Sequence, residues 1–508
     1  MKRRLFLNSS TGSLLLVIQV AVAFILSPVL VRVLGDAGYG IWEVVLSIFG
    51  YLAALDLGVG PAVVRYVSKA SASKDRNEIN RILSSAMFLM ILAGLVSALV
   101  MVVLGVRFNF SPQEYSQLVS QWRPLCFVMA LNIFVIFVGV TFGAHQFGLQ
   151  RHSLANLFRI ISIVGQGFAY YWVLTQTDGP YLVYLAWVLT LSNLFYFAAL
   201  GFASFFGSDR CTILPSLVSK SHIKQLFLYG LSSVLLMISD RIQKSTPLII
   251  APILGPQMIV FFVLPSRLMQ YAIQFSNSAS LPVTPYFSFL EGQNQGLEST
   301  HRSWFALSRV LQFVLIAMGV GLVSLGEPFI ARWIGPEYAT TGRWVIRILG
   351  ATLFIEAFAP VASQLLLGRG KHQTQARWTL VLSLVGLVLM ILGGLGWGLV
   401  GISLAYALMR LSIQSTWCGL ALREVGIGVA QHLQQTLLRF ALPAGVTLLV
   451  VFWVRTQSYP ASYPAILAQA ALAVGLFSVL SSLLAVSGSE RKAVFSWFGS
   501  RLSGKVKK

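Results

Sequence analysis

Residues 31–70 read VRVLGDAGYGIWEVVLSIFGYLAALDLGVGPAVVRYVSKA. An apolar run closing at Leu34 meets the turn Gly35-Asp36-Ala37-Gly38. A second apolar run follows, carrying Glu43 and Asp56, and then a basic stretch with Arg65 and Lys69. Each run approaches the roughly 20 residues a helix needs to cross hydrocarbon at about 1.5 Å per residue. The stretch therefore describes two successive membrane helices joined by a tight turn, the second ending at a charged interface.

The rest of the chain repeats that grammar. Of 508 residues, 56% are hydrophobic and 10% charged, and mean hydropathy is +0.77. A soluble protein carries about a quarter of its residues as charges, so lipid is the solvent for most of this surface. The expected fold is an all-α polytopic membrane protein of about fourteen transmembrane helices. The spans are 14–34, 41–61, 83–106, 123–143, 155–175, 181–206, 226–250, 256–280, 305–325, 345–367, 377–396, 398–420, 437–456 and 464–486. Lys2-Arg3-Arg4 and the run ending Ala21-Val22-Ala23 mimic a cleaved signal peptide, but the apolar run continues to Leu34 and is read as a retained span.

Net charge is +21. A nucleic-acid binder would gather that excess on a polar domain, and no such domain is legible. Sorted over the spans, 26 of the 37 basic residues fall at the N-terminus, in alternate loops and in the tail. Seven (Arg32, Arg107, Arg123, Arg332, Arg343, Arg347, Arg455) fall on the opposite side and four within spans. This bias puts both termini in the cytoplasm. The outward loops are short, the longest near 326–344, which leaves no place for an external catalytic loop; an enzyme is not expected. Cys126, Cys211 and Cys418 have no partner at metal spacing. The six histidines (145, 152, 222, 301, 372, 432) show no H-x3-H or HExxH spacing, so neither metal nor cofactor is expected.

Shifting the chain by 220 residues superposes Leu34-Gly35 on Leu254-Gly255, Val63, Tyr66 and Ser68 on Val283, Tyr286 and Ser288, and Gly148 on Gly368. One offset serving sites so far apart implies two six-helix lobes, 1–206 and 220–420, in parallel orientation. Two appended helices (437–486) and a basic tail (487–508) follow. Parallel repeats with a site between the halves are a known transporter plan.

The pattern R-x-L-G-x-x-x-Y-G, then S-I-x-G-Y-x-x-x-L-D-L-G, then V-R-Y-V-S is carried by Arg32, Leu34, Gly35, Tyr39, Gly40, Ser47, Gly50, Tyr51, Asp56, Leu57, Gly58, Arg65 and Tyr66. It resembles the opening of the bacterial polysaccharide transporters, the lipid-linked oligosaccharide flippases of the multidrug/oligosaccharidyl-lipid/polysaccharide superfamily. LLLGRGKHQTQA (365–376) and GWGLVGISLAYAL (396–408) resemble them more weakly. The resemblance implies an inner-membrane flippase for undecaprenyl-pyrophosphate-linked oligosaccharide, serving O-antigen, capsule or exopolysaccharide synthesis beside a polymerase and a ligase. It does not identify the glycan.

Ionisable groups within spans cost about 2.5–3.5 kcal/mol each at a helix centre on insertion scales, so they mark places with partners or water. Arg241 and Lys244 stand midway along the seventh span with Asp240, in MISDRIQKS; Arg267 stands in the eighth and Arg410 in the twelfth. Asp240 and Lys244 are i,i+4 neighbours, which allows a local ion pair. The alternative is a basic patch for the cargo's pyrophosphate, since Arg forks and Lys point charges both bind phosphate. Arg410 is read as facing the same cavity or snorkelling to the interface. Arg32 is placed at the outer mouth and Arg65 at the inner interface. Glu356, with no charged neighbour at i±3 or i±4, is the first candidate for ion coupling or else a structural protonated acid; Asp240 and Asp56 follow. Trp122, Tyr181, Trp333, Trp344 and Tyr463 read as interface anchors. Three rival readings are a drug/cation antiporter of the multidrug and toxin extrusion branch, a polytopic glycosyltransferase or polymerase, and a lipid II flippase.

Overall fold

A computed structural model describes residues 2–107, 116–207, 210–280, 283–284, 286–287 and 297–485. The basic tail expected at 487–508 lies outside the described residues, within which all regular structure is helical. The chain divides into two compact units, Met1–Val260 and Phe261–Lys508.

The first unit holds α1 (Lys2–Ala53), α2 (Val59–Ala72), α3 (Arg76–Arg107), α4 (Ser116–Gly148), α5 (His152–Gln176), α6 (Tyr181–Phe206), α7 (Lys220–Gln243) and α8 (Thr246–Leu254). From the boundary onward follow α9 (Ile259–Ser280), α10 (Leu297–Trp333), α11 (Pro336–Thr341), α12 (Arg343–Glu356), α13 (Ala362–Gly368), α14 (His372–Val425), α15 (Val429–Gln435), α16 (Leu437–Gln457) and α17 (Tyr463–Leu484). Among the described residues ten helices are long and apolar enough to cross a membrane.

Two of those ten are double-length. α1 is broken at Gly35 (φ 66°, ψ 173°), and α14 at Trp397 and Gly398 (φ 57°, ψ −139°). Glycine supplies the positive φ that a side chain would resist, so each break divides its helix into the two spans read from the sequence. A thirteenth span is the bent pair Lys220–Gly230 and Val234–Leu254, angled by 47°. The remaining span expected from the sequence, 345–367, falls on the two shorter helices α12 and α13. The expected helix plan is present in the described residues.

Burial is inverted in the manner of a membrane protein. On α3, Leu92, Leu95, Leu99 and Val103 are exposed, while Met90, Gly94, Ser97, Met101 and Gly105 are buried. A Cβ on Gly94 would lie 3.0 Å from Phe137, and one on Gly105 would lie 2.6 Å from Cys126. Small residues let α3 lie close on α4 because association in lipid depends on packing contacts, not on expelling water. In the second unit, α16 and α17 dock on α10 through Phe313, Phe440 and Phe477, whose ring centroids lie 5.2–6.4 Å apart. Trp122 and Trp333 correct the aromatic-anchor reading: both are only 3% exposed. Their rings fill interior packing near helix ends, whereas Trp344 and Tyr463 remain exposed.

At the 220-residue offset two local backbone features coincide. Gly35 and Gly255 share a positive φ with an extended ψ. Gln150 (φ 61°) and Gly370 (φ 69°) share the left-handed region. Around the second pair the same bonds form. Gln150 N–H donates to Phe147 O and Arg151 N–H to Gln146 O at 2.9 Å; Gly370 N–H donates to Leu367 O and Lys371 N–H to Leu366 O at 2.8 Å. These are helix-closing motifs of the Schellman kind, placed 220 residues apart.

Candidate functional site

The basic residues read at mid-span, and Glu356, have no charged counterpart at the 220-residue offset. Moved back by 220 residues, Arg241, Lys244, Arg267, Glu356 and Arg410 fall on Ala21, Phe24, Ser47, Ile136 and Thr190. Two of the helix breaks behave likewise. The α7–α8 interruption and the Ala357–Val361 bend between α12 and α13 have continuous helix at their counterparts in α1 and α4.

In the first unit, Arg241 occupies the last turn of α7 and Lys244 is its C-terminal cap, the Lys244 N–H donating to Asp240 O and Arg241 O. Pro247, in the first turn of α8, has no N–H to lose there. The break leaves the carbonyl end of α7 inside the span, where cations are favoured by the helix dipole. This is why Arg241 and Lys244 are tolerated at mid-span. Lys244 Nζ stands 2.8 Å from Asp240 Oδ1, with both side chains half-exposed. That pair is the local one allowed by its spacing, and it leaves Arg241 as the net positive group.

Arg241 reaches across to α1. Its Nη1 would be 3.1 Å from a Cβ on Gly50, so the glycine of the opening block makes room for the guanidinium. Tyr51 and Asp56 both lie within electrostatic reach of Arg241. Asp56 Oδ1 accepts the Gly58 N–H at 3.0 Å, holding the left-handed Gly58 turn into α2. Gly58 meets Gly230 of α7, with 2.7 Å between a Cβ there and Gly230 O. The LDLG motif thus brings α1, α2 and α7 together. Arg65, on α2, stands over the rings of Tyr66 and Tyr229 at 5.8 and 4.7 Å, a packing role within this unit. Arg32 is exposed one turn before Gly35.

Asp56 also lines a cavity of about 490 Å³ in the first unit, with Arg159, Asn193 and Tyr196 among its walls. In the sequence Arg159 falls where the expected span 155–175 overlaps the basic loop 144–159; the structure places it on α5, two turns into the helix, half-buried. The signal that could have found it is the pair of asparagines inside apolar spans. Arg159 Nη1 donates to Asn193 Oδ1 and Asn193 Nδ2 donates to Asn132 Oδ1, both at 3.0 Å.

In the second unit, Glu356 does not stand alone. Arg410 of α14 grips it with two parallel bonds, Nε to Oε1 at 2.6 Å and Nη2 to Oε2 at 2.7 Å, and Gln414 donates to the same Oε2. The side chains are 6% and 12% exposed. The sequence showed no neighbour because the partner comes from another helix. Arg410 is neutralised there, neither snorkelling nor an unpaired cavity cation. Arg267 is half-buried on α9. Among the described residues, no three His, Cys, Asp or Glu side chains are placed to hold a metal ion.

A sequence profile of the family described as polysaccharide biosynthesis protein matches residues 7–291. No curated protein matches the chain. Among solved structures, an inward-facing multidrug-resistance MATE family transporter of the MOP superfamily is similar over 81% of this chain and 98% of its own, at 14% identity and TM-score 0.66. An outward-facing structure described in the same terms is similar over 82% and 95%, at 13% identity and TM-score 0.61. A MOP-superfamily transporter from Pyrococcus furiosus, for which reverse polarity of the binding pocket suggests a different function, is similar over 83% and 94%, at 14% identity and TM-score 0.56. At such identities the likeness is one of fold, while the profile covers more than half of the sequence. The chain belongs to the polysaccharide biosynthesis protein family and is built on the fold of the MOP-superfamily transporters.

Proposed function

We propose that the protein is a flippase for a lipid-linked oligosaccharide, carrying a polyprenyl-pyrophosphate glycan across a bacterial cytoplasmic membrane by alternating access. The observation that carries the reading is Arg241 at the interrupted end of α7, a guanidinium held inside a membrane span with no ion pair among the described residues. A pyrophosphate cannot cross hydrocarbon unaided, since desolvating its charge costs far more than thermal energy supplies. A cation fixed at mid-span replaces part of the lost hydration, and a guanidinium does so with paired donors matched to phosphate oxygens. Translocation of this kind needs no covalent step. The Lys244–Asp240 pair is assigned to the same passage, Arg267 is proposed as a further cation for the cargo, and family membership favours a glycan cargo over other anions.

A second reading, export of drugs or cations, is favoured by the fold likeness to MATE transporters. It calls for an acidic or aromatic binding wall, whereas Glu356 is occupied by Arg410 and Asp240 by Lys244. Arg241→Gln and Arg267→Gln proteins, expressed at wild-type level in a strain whose surface glycan depends on this gene, separate the two. The flippase reading expects surface glycan to fall about tenfold or more, the loss of one charge-assisted phosphate contact. Full display by both variants would remove the proposed basic passage.

A further inference from the structure

The Arg159 cavity of the first unit plays no part in the passage just proposed, and its chemistry is specific. A guanidinium carries five N–H donors. Among the described residues one of them is hydrogen-bonded by protein, to Asn193 Oδ1 at 3.0 Å, and no carboxylate comes within ion-pair distance. The ring of Tyr196 lies under the guanidinium with 5.2 Å from Cζ to its centroid. Asn193 spends its amide N–H on Asn132, so its oxygen is turned towards Arg159 and its orientation is settled by the chain of bonds. The opposite walls are apolar, built from Ile136, Val140 and Phe197. Asp56, the acid on the same wall, is bound by the Gly58 N–H and lies within reach of Arg241's charge. It does not neutralise Arg159 directly.

A half-buried cation with unused donors at one end of a greasy cavity wants an oxyanion with a hydrocarbon attached. The volume, about 490 Å³, falls in the range of small-ligand cavities, roughly 300–1,000 Å³. We propose that this cavity binds a single-chain anionic amphiphile, its phosphate or carboxylate on Arg159 and its chain against Ile136, Val140 and Phe197. Asn193 and Asn132 act as positioning residues that hold the guanidinium fork towards the cavity. The site is separate from Arg241 and stands whether or not the protein moves glycans.

Four probes divide the chemistry. Oleate and oleoyl lysophosphatidate share chain and negative charge but differ in head group; monooleoylglycerol keeps the chain without the charge; inorganic phosphate keeps the charge without the chain. Native mass spectrometry of the purified full-length protein should find one bound oleate or lysophosphatidate per chain, with monooleoylglycerol and inorganic phosphate retained at least about tenfold less, the loss of one charge-assisted contact or of the chain's burial. The ratio of oleate to lysophosphatidate tells carboxylate from phosphate. Asn193→Asp should abolish retention in protein that still folds, because the new carboxylate neutralises Arg159 in place, and Arg159→Gln should match it. Monooleoylglycerol or inorganic phosphate held as well as oleate would overturn the proposal. So would wild-type retention in a folded Asn193→Asp protein. None of these readouts involves glycan transport, so failure here leaves the flippase reading intact, and the reverse also holds.

Discussion

His432 shows how one side chain can tie three segments together. Trp304 Nε1–H donates to its Nδ1 at 3.1 Å, and its Nε2 lies 3.0 Å from Phe358 O. An indole N–H can only donate, so Nδ1 must accept, and the ring is neutral with its proton on Nε2. Burial lowers the His432 pKa from its ordinary value, partly opposed by the bond to Phe358 O. The unfolded chain therefore takes up the proton first as pH falls. Stability should be full above about 6.5 and decline below it, by at most about 1.4 kcal/mol per pH unit. Melting temperatures between pH 7.5 and 5.5 should drop more for wild type than for His432→Gln, whose amide can mimic the neutral ring. The Glu356–Arg410 pair yields a second prediction. Glu356→Gln leaves a buried guanidinium without its counter-charge and should cost about 3–5 kcal/mol, whereas the double change Glu356→Leu with Arg410→Met should recover most of that loss. Equal melting of wild type and Glu356→Gln would show the pair to be inert. At this scale the sequence was a partial guide. The Asp240–Lys244 pair could be read because its spacing lies along one helix. Glu356–Arg410 and Arg159–Asn193–Asn132 cross between helices, and no local spacing records that.

Helices, by contrast, were legible almost throughout, because crossing a bilayer demands long apolar runs whatever the tertiary contacts. The breaks within them were less so. GGLGWGLVG at 393–401 signals a turn, but only the coordinates show Gly393 and Gly401 lying nearly backbone to backbone. A Cβ on Gly401 would fall 2.0 Å from Gly393 O, while one on Gly396 would meet nothing within 4 Å. Gly401→Ala should therefore lower the melting temperature and the yield of monodisperse protein, and Gly396→Ala should leave both near wild type. Fluorescence-detected size-exclusion chromatography after heating makes that comparison directly. Similar losses for both would mean that flexibility, not close approach, is what the glycines provide. The interruption between α7 and α8 falls at Ser245-Thr246-Pro247, where Pro247 marks a break in the apolar run after the polar stretch DRIQKS. That interruption makes Arg241 physically tolerable.

Over the whole molecule, the two stretches related by the 220-residue offset differ chiefly in where charge was admitted. Both close helices with the same motif at Gln150 and Gly370 and turn at Gly35 and Gly255. Only the second carries Arg241, Arg267 and the Glu356–Arg410 pair at mid-span. A membrane protein keeps such groups only at a cost in insertion, and transport of an anion is the account offered for Arg241 and Arg267. Proteoliposomes holding the purified protein and a short polyprenyl-pyrophosphate-linked oligosaccharide test it most directly, by following how fast the glycan becomes reachable by an enzyme added outside. The account predicts translocation well above that of empty vesicles, slowed about tenfold or more by Arg241→Gln. Vesicles in which the wild-type protein moves no glycan, yet accumulates a cationic drug, would contradict it.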